Sequence, residues 1–536
     1  MKTIRRGTHA GPLRRWIAAC FAAGLISAAP AASPQEQTAA MSLEACILEA
    51  LRNNLGVAIE VITPRLSALS FEFAKEKYIP SLSVGLTESN TSSASFSWIE
   101  AAALVTSDDQ TYSAQLSEFV PLGGRFYATL SSYKSESNRS YLTINPRYGS
   151  TLTFTYWQPL LRNFGLGLNR RDIVIARNNL DISEVNFRAV LQNTIYSVEQ
   201  AYWNLVYAVE NLKVRRQSLA LAKDLLAKNT REAEVGTIAP IEVLNAEAEV
   251  ATREADILQA ESQVASTQDS LATILNLPRR EGQPRLARVI PTDQPAFEAR
   301  PLDFDASLQT AMENRSDLQA TRLDLQNKEL TYRYLRNQLL PDLSLNASYW
   351  SPGVSGTQIL YQDDDPLTNV IIGTIPGGAS GSLNDAFRLR YRNWSISLSL
   401  SIPINYYLSR SHFAQIQISR DQALLRLQYL EQQVYLEIRN AVRDVETNFK
   451  RVQAYKLARE LAERRLQAEE KKLKVGLTTN YLVLLNQRDL DSAKTNELKA
   501  LIDYNLSLSS LERSLGTSLR TKGIRIGDII NRDQDR

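Results

Sequence analysis

The chain has 536 residues, 44% of them hydrophobic and 22% charged, with a formal net charge of +3. That charge is too small for a nucleic-acid partner, and two His and two Cys argue against a metal cluster, a disulfide framework or His-dependent catalysis. No segment after the N-terminal leader has 18 uninterrupted apolar residues, so no α-helical membrane span is expected.

Residues 1–32 read as a secretory signal peptide. Lys2, Arg5, Arg6, Arg14 and Arg15 form a basic region with no acid, and Trp16 to Ala29 form an apolar one. Ala29-Pro30-Ala31 offers small residues for cleavage. Cys20 closes a lipobox-like run, although only four residues separate it from Arg15. Arg5-Arg6 is a weak twin-Arg match, because Gly7-Thr8-His9 follows where apolar residues are wanted. The leader carries five basic residues, so its removal turns the charge from +3 to about −2. Cys46 is then the only thiol, and it reads as a small buried hydrophobe.

The sequence repeats itself once. Ala50-Leu51-Arg52-Asn53 resembles Ala311-Met312-Glu313-Asn314, and Pro80-Ser81-Leu82-Ser83 resembles Pro341-Asp342-Leu343-Ser344, both at an offset of 261. Val235-Gly236-Thr237 resembles Val475-Gly476-Leu477 at an offset of 240. The first copy therefore holds an insertion between Pro80 and Val235. The expected division is 33–277 for repeat one, 278–301 for a Pro-rich connector, 302–516 for repeat two and 517–536 for a tail.

Each repeat carries a very long helix. Neither Pro nor Gly occurs between Asn169 and Glu234, and Leu205, Leu212, Leu219 and Leu226 recur every seven residues. Val198, Ala201, Ala208 and Ala222 fill the alternate seam positions, which Arg215 and Asn229 interrupt. Repeat two continues the pattern from Ser411 to Lys474, through Ile438, Ala441, Val445, Val452 and Leu466. At 1.5 Å per residue such helices span roughly 100 Å. Gly236 and Gly476 stop them, and Ala-rich helices follow from Ile241 and from Tyr481. The helix of 55–78 added end to end to that of 241–276 matches the long one, which suggests a strut of uniform length. Pro64 should kink its helix, while Leu325 stands in the corresponding place of repeat two.

Before each long helix the period changes to two. Trp394, Ile396, Leu398, Leu400 and Ile402 alternate with Ser. Leu152, Phe154 and Tyr156 alternate with Thr, and 82–86 and 343–349 behave alike. A half-buried soluble sheet alternates in this way, and so does a membrane barrel with lipid on one face. The leader, the long strands and the helical strut favour the barrel, with strands in about 80–161 and 342–403. Trp394, Trp157 and Tyr156 suit an aromatic girdle. Two strands per half are too few to close alone, so closure requires oligomerisation. Residues 91–150 read either as an extra hairpin, giving six strands per chain, or as a long extracellular loop. Tyr112, Ala114 and Leu116, then Pro121-Leu122-Gly123-Gly124, then Phe126, Ala128 and Leu130 carry the hairpin reading.

This order of parts, twice over, resembles the TolC-type outer-membrane efflux proteins. It includes Tyr156-Trp157-Gln158-Pro159-Leu160-Leu161, Ala201-Tyr202-Trp203 and the Val-Gly turns. The resemblance spans nearly all of 43–516. The fold class it implies is mainly α with membrane β: a long α-helical coiled-coil barrel joined to an outer-membrane β-barrel of 12 strands shared by a homotrimer. It implies a passive exit duct for efflux or type I secretion, working with a periplasmic adaptor (membrane fusion) protein and an inner-membrane pump of RND or ABC type. No cofactor and no enzymatic activity are expected, and the chain has no phosphate loop, H-E-x-x-H or nucleophile elbow.

Carried over, the helical tips that meet the adaptor are Val235, Gly236, Thr237, Val475, Gly476 and Leu477. Glu242, Lys474, Thr478, Leu482 and Leu485 are the candidates for a periplasmic gate, which untwisting of the 481–515 helix pair would open. Glu242 and Lys474 are either a gate-holding ion pair or two solvated charges. Many members follow the second turn with Thr-Arg-Thr and then acids that ring the entrance. Here Thr478-Thr479 and then Leu482 and Leu485 stand instead, so entrance charge would fall to Glu242 and Glu247. Asp363-Asp364-Asp365 reads as a solvated loop or a Ca²⁺ site. A periplasmic coiled-coil adaptor and a structural trimeric coiled coil are the alternative functions. The former would carry one hairpin per chain and no apolar–Ser strands. The Gly-centred turns and the duplication argue against the latter.

Overall fold

The computed structural model describes residues 38–96, 100, 102–277, 288–402 and 404–525. The expected leader, much of the Pro-rich connector and the end of the tail lie outside the described residues.

Strand β1 (Thr38–Met41) precedes helices α1 (Leu43–Asn53), α2 (Leu55–Glu60) and α3 (Ile62–Glu76). The Ser42 hydroxyl caps α1 by accepting from the Ala45 N–H, and Asn54 caps α2 through Gly56 and Val57. The helix breaks at Val61, and Pro64 sits in the first turn of α3, where its missing N–H leaves no helical bond unmade. The kink expected at Pro64 is thus a break three residues earlier. Four strands follow: β2 (Ser81–Ala94), β3 (Leu104–Phe119), β4 (Arg125–Ser137) and β5 (Ile144–Pro159). Next come α4 (Leu166–Asn169), α5 (Arg171–Glu234), α6 (Pro240–Leu275) and β6 (Arg288–Pro291).

The second half begins with α7 (Phe304–Asn314) and α8 (Ser316–Asn337). Helix α8 runs unbroken past Leu325, the counterpart of Pro64. Strands β7 (Asp342–Tyr361) and β8 (Ile371–Ile375), helix α9 (Ala379–Phe387) and strand β9 (Asn393–Ser401) follow. The chain ends in α10 (Tyr407–Lys474), α11 (Asn480–Leu515) and α12 (Ser518–Thr521).

The helices build a strut. Helix α5 has 64 residues and α10 has 68, so each spans roughly 100 Å. On α5, α3 packs along the sheet end and α6 along the far end. The shorter helices meet where the Asn54 side chain donates to Ile274 O (2.9 Å) and Asn276 donates to Asn53 O (2.8 Å). On α10, α8 and α11 divide the length in the same way.

Two large apolar cores lie along the strut, with a small third cluster of Leu466, Val483 and Leu490 nearer the tips. One joins Phe187, Leu191, Ile195, Val198 and Leu205 of α5 to Cys46 and Leu51 of α1. The other joins Val434, Ile438 and Val445 of α10 to Ala311, Leu318 and Tyr504. Cys46 is a buried free thiol; desolvation first, then Asp293 and Glu49, push it up to about 12. Past Ala208 the buried track of α5 moves to Ser218, Ala222, Leu225 and Asn229, leaving Leu212, Leu219 and Leu226 half-buried. An α-helix of 3.6 residues per turn drifts off a strict heptad in this way.

β1 and β6 pair in parallel, which ties the connector to the first core. Tyr202 secures them: its hydroxyl accepts from the N–H groups of Thr292 (3.2 Å) and Asp293 (3.1 Å).

The second sheet has the order β2-β3-β4-β5-β7, and β7 is then flanked by β9 near the helices and by β8 farther out. It is antiparallel throughout and six strands wide. Residues 104–137 are therefore a hairpin, not an extracellular loop, and the expected four strands per chain are corrected to a sheet six strands wide, built from seven strands because β8 and β9 share one flank of β7. One face carries an in-phase apolar ladder: Leu82, Leu116, Ala128, Phe154, Tyr349 and Trp394 lie on it. The other face carries Ser83, Gln115, Thr129, Thr155, Ser348 and Ser395. Tyr156 shares the apolar face, whereas Trp157 takes the opposite one. Trp157 therefore leaves the girdle expected from sequence, because neighbouring strand residues point to opposite sides.

Candidate functional site

Helices α5 and α10 carry the sheet at one end and a tight turn at the other. Gly236 and Gly476 both adopt positive φ, +76° and +74°. At the first turn the N–H of Thr237 donates to Glu232 O (2.8 Å) and that of Gly236 to Ala233 O (3.0 Å). At the second, Leu477 donates to Lys472 O (3.0 Å) and Gly476 to Leu473 O (3.1 Å). This double closure satisfies the last carbonyls of each helix and requires a left-handed residue after the cap. Val235, Val475 and Leu477 project into solvent. The tips lie side by side, since Asn480 Nδ2 donates to Asn229 Oδ1 (2.7 Å). Asn229, which interrupts the seam in sequence, is the buried link between the hairpins.

The gate candidates fall close to these tips. Glu242 lies in the first turn of α6, and its carbonyl accepts from Asn229 Nδ2 (3.3 Å). Lys474 is the last residue of α10. Within this chain Glu242 and Lys474 form no ion pair with each other. The Thr478 hydroxyl donates to Glu469 (2.5 Å), which also pairs with Lys472 (3.1 Å); the Thr478 bond first, then Lys472, hold the Glu469 carboxyl below its usual range. Leu482 and Leu485 are exposed on α11. Leu485 lines a cleft of about 240 Å³ between α6 and α11, with Asn245, Glu249, Tyr481 and Arg488.

One cluster near the tips has no counterpart in the sequence reading. Glu249 and Arg253 of α6 and Asp491 of α11 are buried. Arg253 donates to Glu249 (2.8 Å) and to Asp491 (2.7 Å). Arg488 of α11 forks onto both Glu249 oxygens, one at 3.0 Å, and Ser218 of α5 donates to Asp491. Burial by itself would raise the Glu249 carboxyl; the bonds from Arg488 and Arg253 outweigh it and hold it below its usual range. The cluster clamps the two hairpins together roughly 14 Å along α6 from its start. The sequence signal was the spacing of four between Glu249 and Arg253, which puts both on one helix face.

Asp365 accepts from the Leu367 N–H (2.9 Å), a local turn. Among the described residues no group of three or more metal-ligating side chains gathers. No helix among them is long and apolar enough to cross a membrane.

A sheet apolar on one face and hydroxyl-lined on the other, mounted on 100 Å helical hairpins, defines the architecture of an outer-membrane channel. The chain belongs to the outer membrane efflux protein family, whose model matches residues 74–277 and 307–517. It is an outer-membrane protein with a large periplasmic helical part.

Outer membrane protein TolC of Escherichia coli is 24% identical over 348 residues, 65% of this chain and 66% of that protein. The chain thus spans just under two thirds of that relative's length. TolC of Vibrio cholerae is 23% identical over 341 residues, 62% of this chain and 70% of its own. Among solved structures, the outer-membrane channel OprN matches with a TM-score of 0.61 at 16% identity, covering 89% of this chain and 90% of its own. The Campylobacter jejuni CmeC outer membrane channel matches at 0.61 and 14%, covering 91% and 90%. These structural likenesses show the fold. A periplasmic adaptor and a structural coiled coil are set aside, because the family match covers both hairpins of one chain.

Proposed function

We propose that the chain is a passive exit duct of a tripartite efflux or type I secretion system. The observation that carries it is the placing of two opposed functions at the ends of the same two helices: a lipid-compatible sheet and a pair of tips. Three copies supply the walls, because one copy leaves both sheet edges open. Residues 33–277 and 302–516 are two structural repeats, each contributing one hairpin to the tunnel. Val235, Gly236, Thr237, Val475, Gly476 and Leu477 dock a periplasmic adaptor, and an inner-membrane pump of RND or ABC type supplies the energy.

The gate lies at the tips. Glu242 and Lys474 do not pair within one chain, so a bond between them would join neighbouring copies. Glu249, Arg253, Arg488 and Asp491 hold the two hairpins of each copy together just above. Opening then requires α10–α11 to part from α5–α6. Conductance of the purified protein in a planar bilayer tests this. Glu242→Gln should raise the closed-state conductance, and an unchanged closed state overturns the gate role of Glu242. Recovery of the wild-type chain in the soluble periplasm overturns the duct.

A further inference from the structure

The sheet is six strands wide, whereas the family resemblance implied four. We propose that three copies close one continuous barrel of eighteen strands, with the β3–β4 hairpin built into its wall. The outer-membrane bore is then wider than twelve strands allow. This inference rests on the trimeric duct proposed above.

The register carries it first. Leu82 faces Leu116, Leu116 faces Ala128, and Ala128 faces Phe154. Taking β3 and β4 out would set Leu82 opposite Phe154 and Val84 opposite Leu152, apolar on apolar. The hairpin is thus an insertion that keeps every residue on its own face, as a period of two demands. A hairpin lying inside the bore or over its mouth would have no need of this phase.

The inner turn of that hairpin is also built into the junction. Gly123 has φ +101°, and a Cβ there would lie 2.3 Å from Asn163 O and 2.7 Å from Asn169 Nδ2. The Gly165 N–H donates to Leu122 O (3.1 Å), and Gln158 Nε2 donates to the same carbonyl (3.3 Å). Glycine is required where the backbone must turn left-handed against another segment. The hairpin therefore seats on the start of α4, at the same level as the ends of β5 and β7.

The free edges fit each other. Every residue of β2 is exposed, and so is all of β9 except Asn393. A bare edge in lipid leaves its N–H and C=O groups unsatisfied, and only closure removes it. β2 runs away from the helices and β9 runs towards them, so a seam between copies is antiparallel. Setting Ser81 opposite Ser401, the two helix-side ends, pairs Leu82 with Leu400, Val84 with Leu398 and Leu86 with Ile396. The hydroxyl face matches too, Ser83 on Ser399. In the same register Trp394 falls opposite Glu88 and Arg392 opposite Asn90 of the neighbouring copy. A second copy of this chain is therefore the occupant of each edge.

With strands about 4.8 Å apart and tilted by about 40°, eighteen strands give a backbone radius of roughly 18 Å, and twelve give roughly 12 Å. The inner wall is lined by hydroxyls such as Thr129, Thr153 and Ser397. A bore of this size passes bulky solutes, and the tips, not the barrel, set the limit.

Disulfide trapping in outer membranes tests the proposal. Ser83→Cys with Ser399→Cys should link copies into a trimer band on a non-reducing gel. Ser81→Cys with Ser117→Cys, and Ser132→Cys with Ser150→Cys, should link within the chain in that same trimer; the native hydroxyls are 2.7 and 3.0 Å apart. Loss of the seam band overturns the trimeric duct itself. A seam band without the two intrachain links leaves the duct standing and overturns the eighteen-stranded wall. Class averages viewed down the axis should show a wall about 36 Å across, and one of about 24 Å overturns the proposal.

Discussion

The two halves of the chain agree in their helices and differ in their sheets. Helices α6 and α11 both have 36 residues, α5 and α10 differ by four, and the two tips close with the same pair of hydrogen bonds. The first half supplies four full strands to the sheet. The second supplies two, with β8 and α9 between them. The difference follows from geometry. A turn inserted between packed positions of a helix shifts every contact beyond it, and the four residues by which α10 exceeds α5 are offset by the one-turn α4 ahead of α5. A sheet accepts an up-and-down pair of strands with no change of face.

Five substitutions and one pH profile, with Glu249→Gln as its control, probe that contrast, and the largest effect lies between the halves. Arg253→Leu strands Asp491 as a buried carboxylate with only the Ser218 hydroxyl left on it, and leaves Glu249 to Arg488 alone, so it should cost about 3 kcal/mol or more. A fall in the thermal midpoint, with raised closed-state conductance, is the expected readout. Gly123→Ala attacks the inserted hairpin alone. Its Cβ meets backbone oxygen in a left-handed turn, so about 2 kcal/mol of destabilisation is expected, measured by denaturant unfolding.

Acid should act next. The Glu249 carboxyl is held below its ordinary 4.5, so its contribution is fully present above 4.5 and is lost as pH falls through the lowered value. A melting series from pH 6 downwards should show this loss in wild type and not in Glu249→Gln, which is already weak at pH 7. Gly236→Ala and Gly476→Ala have open space around the added carbon, so only the strain of positive φ remains, about 1 kcal/mol each. Equal losses would sharpen the likeness of the two tips, and unequal ones would break it.

The smallest effect belongs to Glu512 of α11. Burial first, and then the charge of Glu199, push its carboxyl up against the opposing charges of Lys522 and Arg300. A raised group contributes stability below 4.5 and loses it as pH rises through the folded value. Glu512→Gln should therefore leave the midpoint at pH 7 unchanged or slightly raised, by less than about 1 kcal/mol.

Much of the helical part was legible. Pro-free and Gly-free length, the Leu and Ala seam and the Val-Gly turns are local signals, and Glu234 and Lys474 are the observed helix ends. The strands of 82–86, 152–156, 343–349 and 394–402 were equally plain from alternation. The sequence left 104–137 open between hairpin and loop, because Tyr112, Ala114 and Leu116 are too few apolar residues to decide. It missed β1 and β6, four residues each, whose pairing joins positions about 250 apart in sequence. Along the lower part of α5 it placed one column of the seam and missed the other: Ala222 and Asn229 are buried where expected, whereas burial passes from Leu219 and Leu226 to Ser218 and Leu225.

At the tips the residue types named the turns, because a left-handed cap is a property of glycine itself. Which charges met was decided elsewhere. Glu242 and Lys474 are closest to the turns and do not pair, while Glu249, Arg253, Arg488 and Asp491 do, because α6 and α11 bring their faces together two to three turns higher up. Period and composition determined helix, strand and turn, since each depends on neighbours within a few residues. The tertiary structure alone decided strand count, sheet width and the buried ion cluster, since each depends on partners that the chain brings together from far apart.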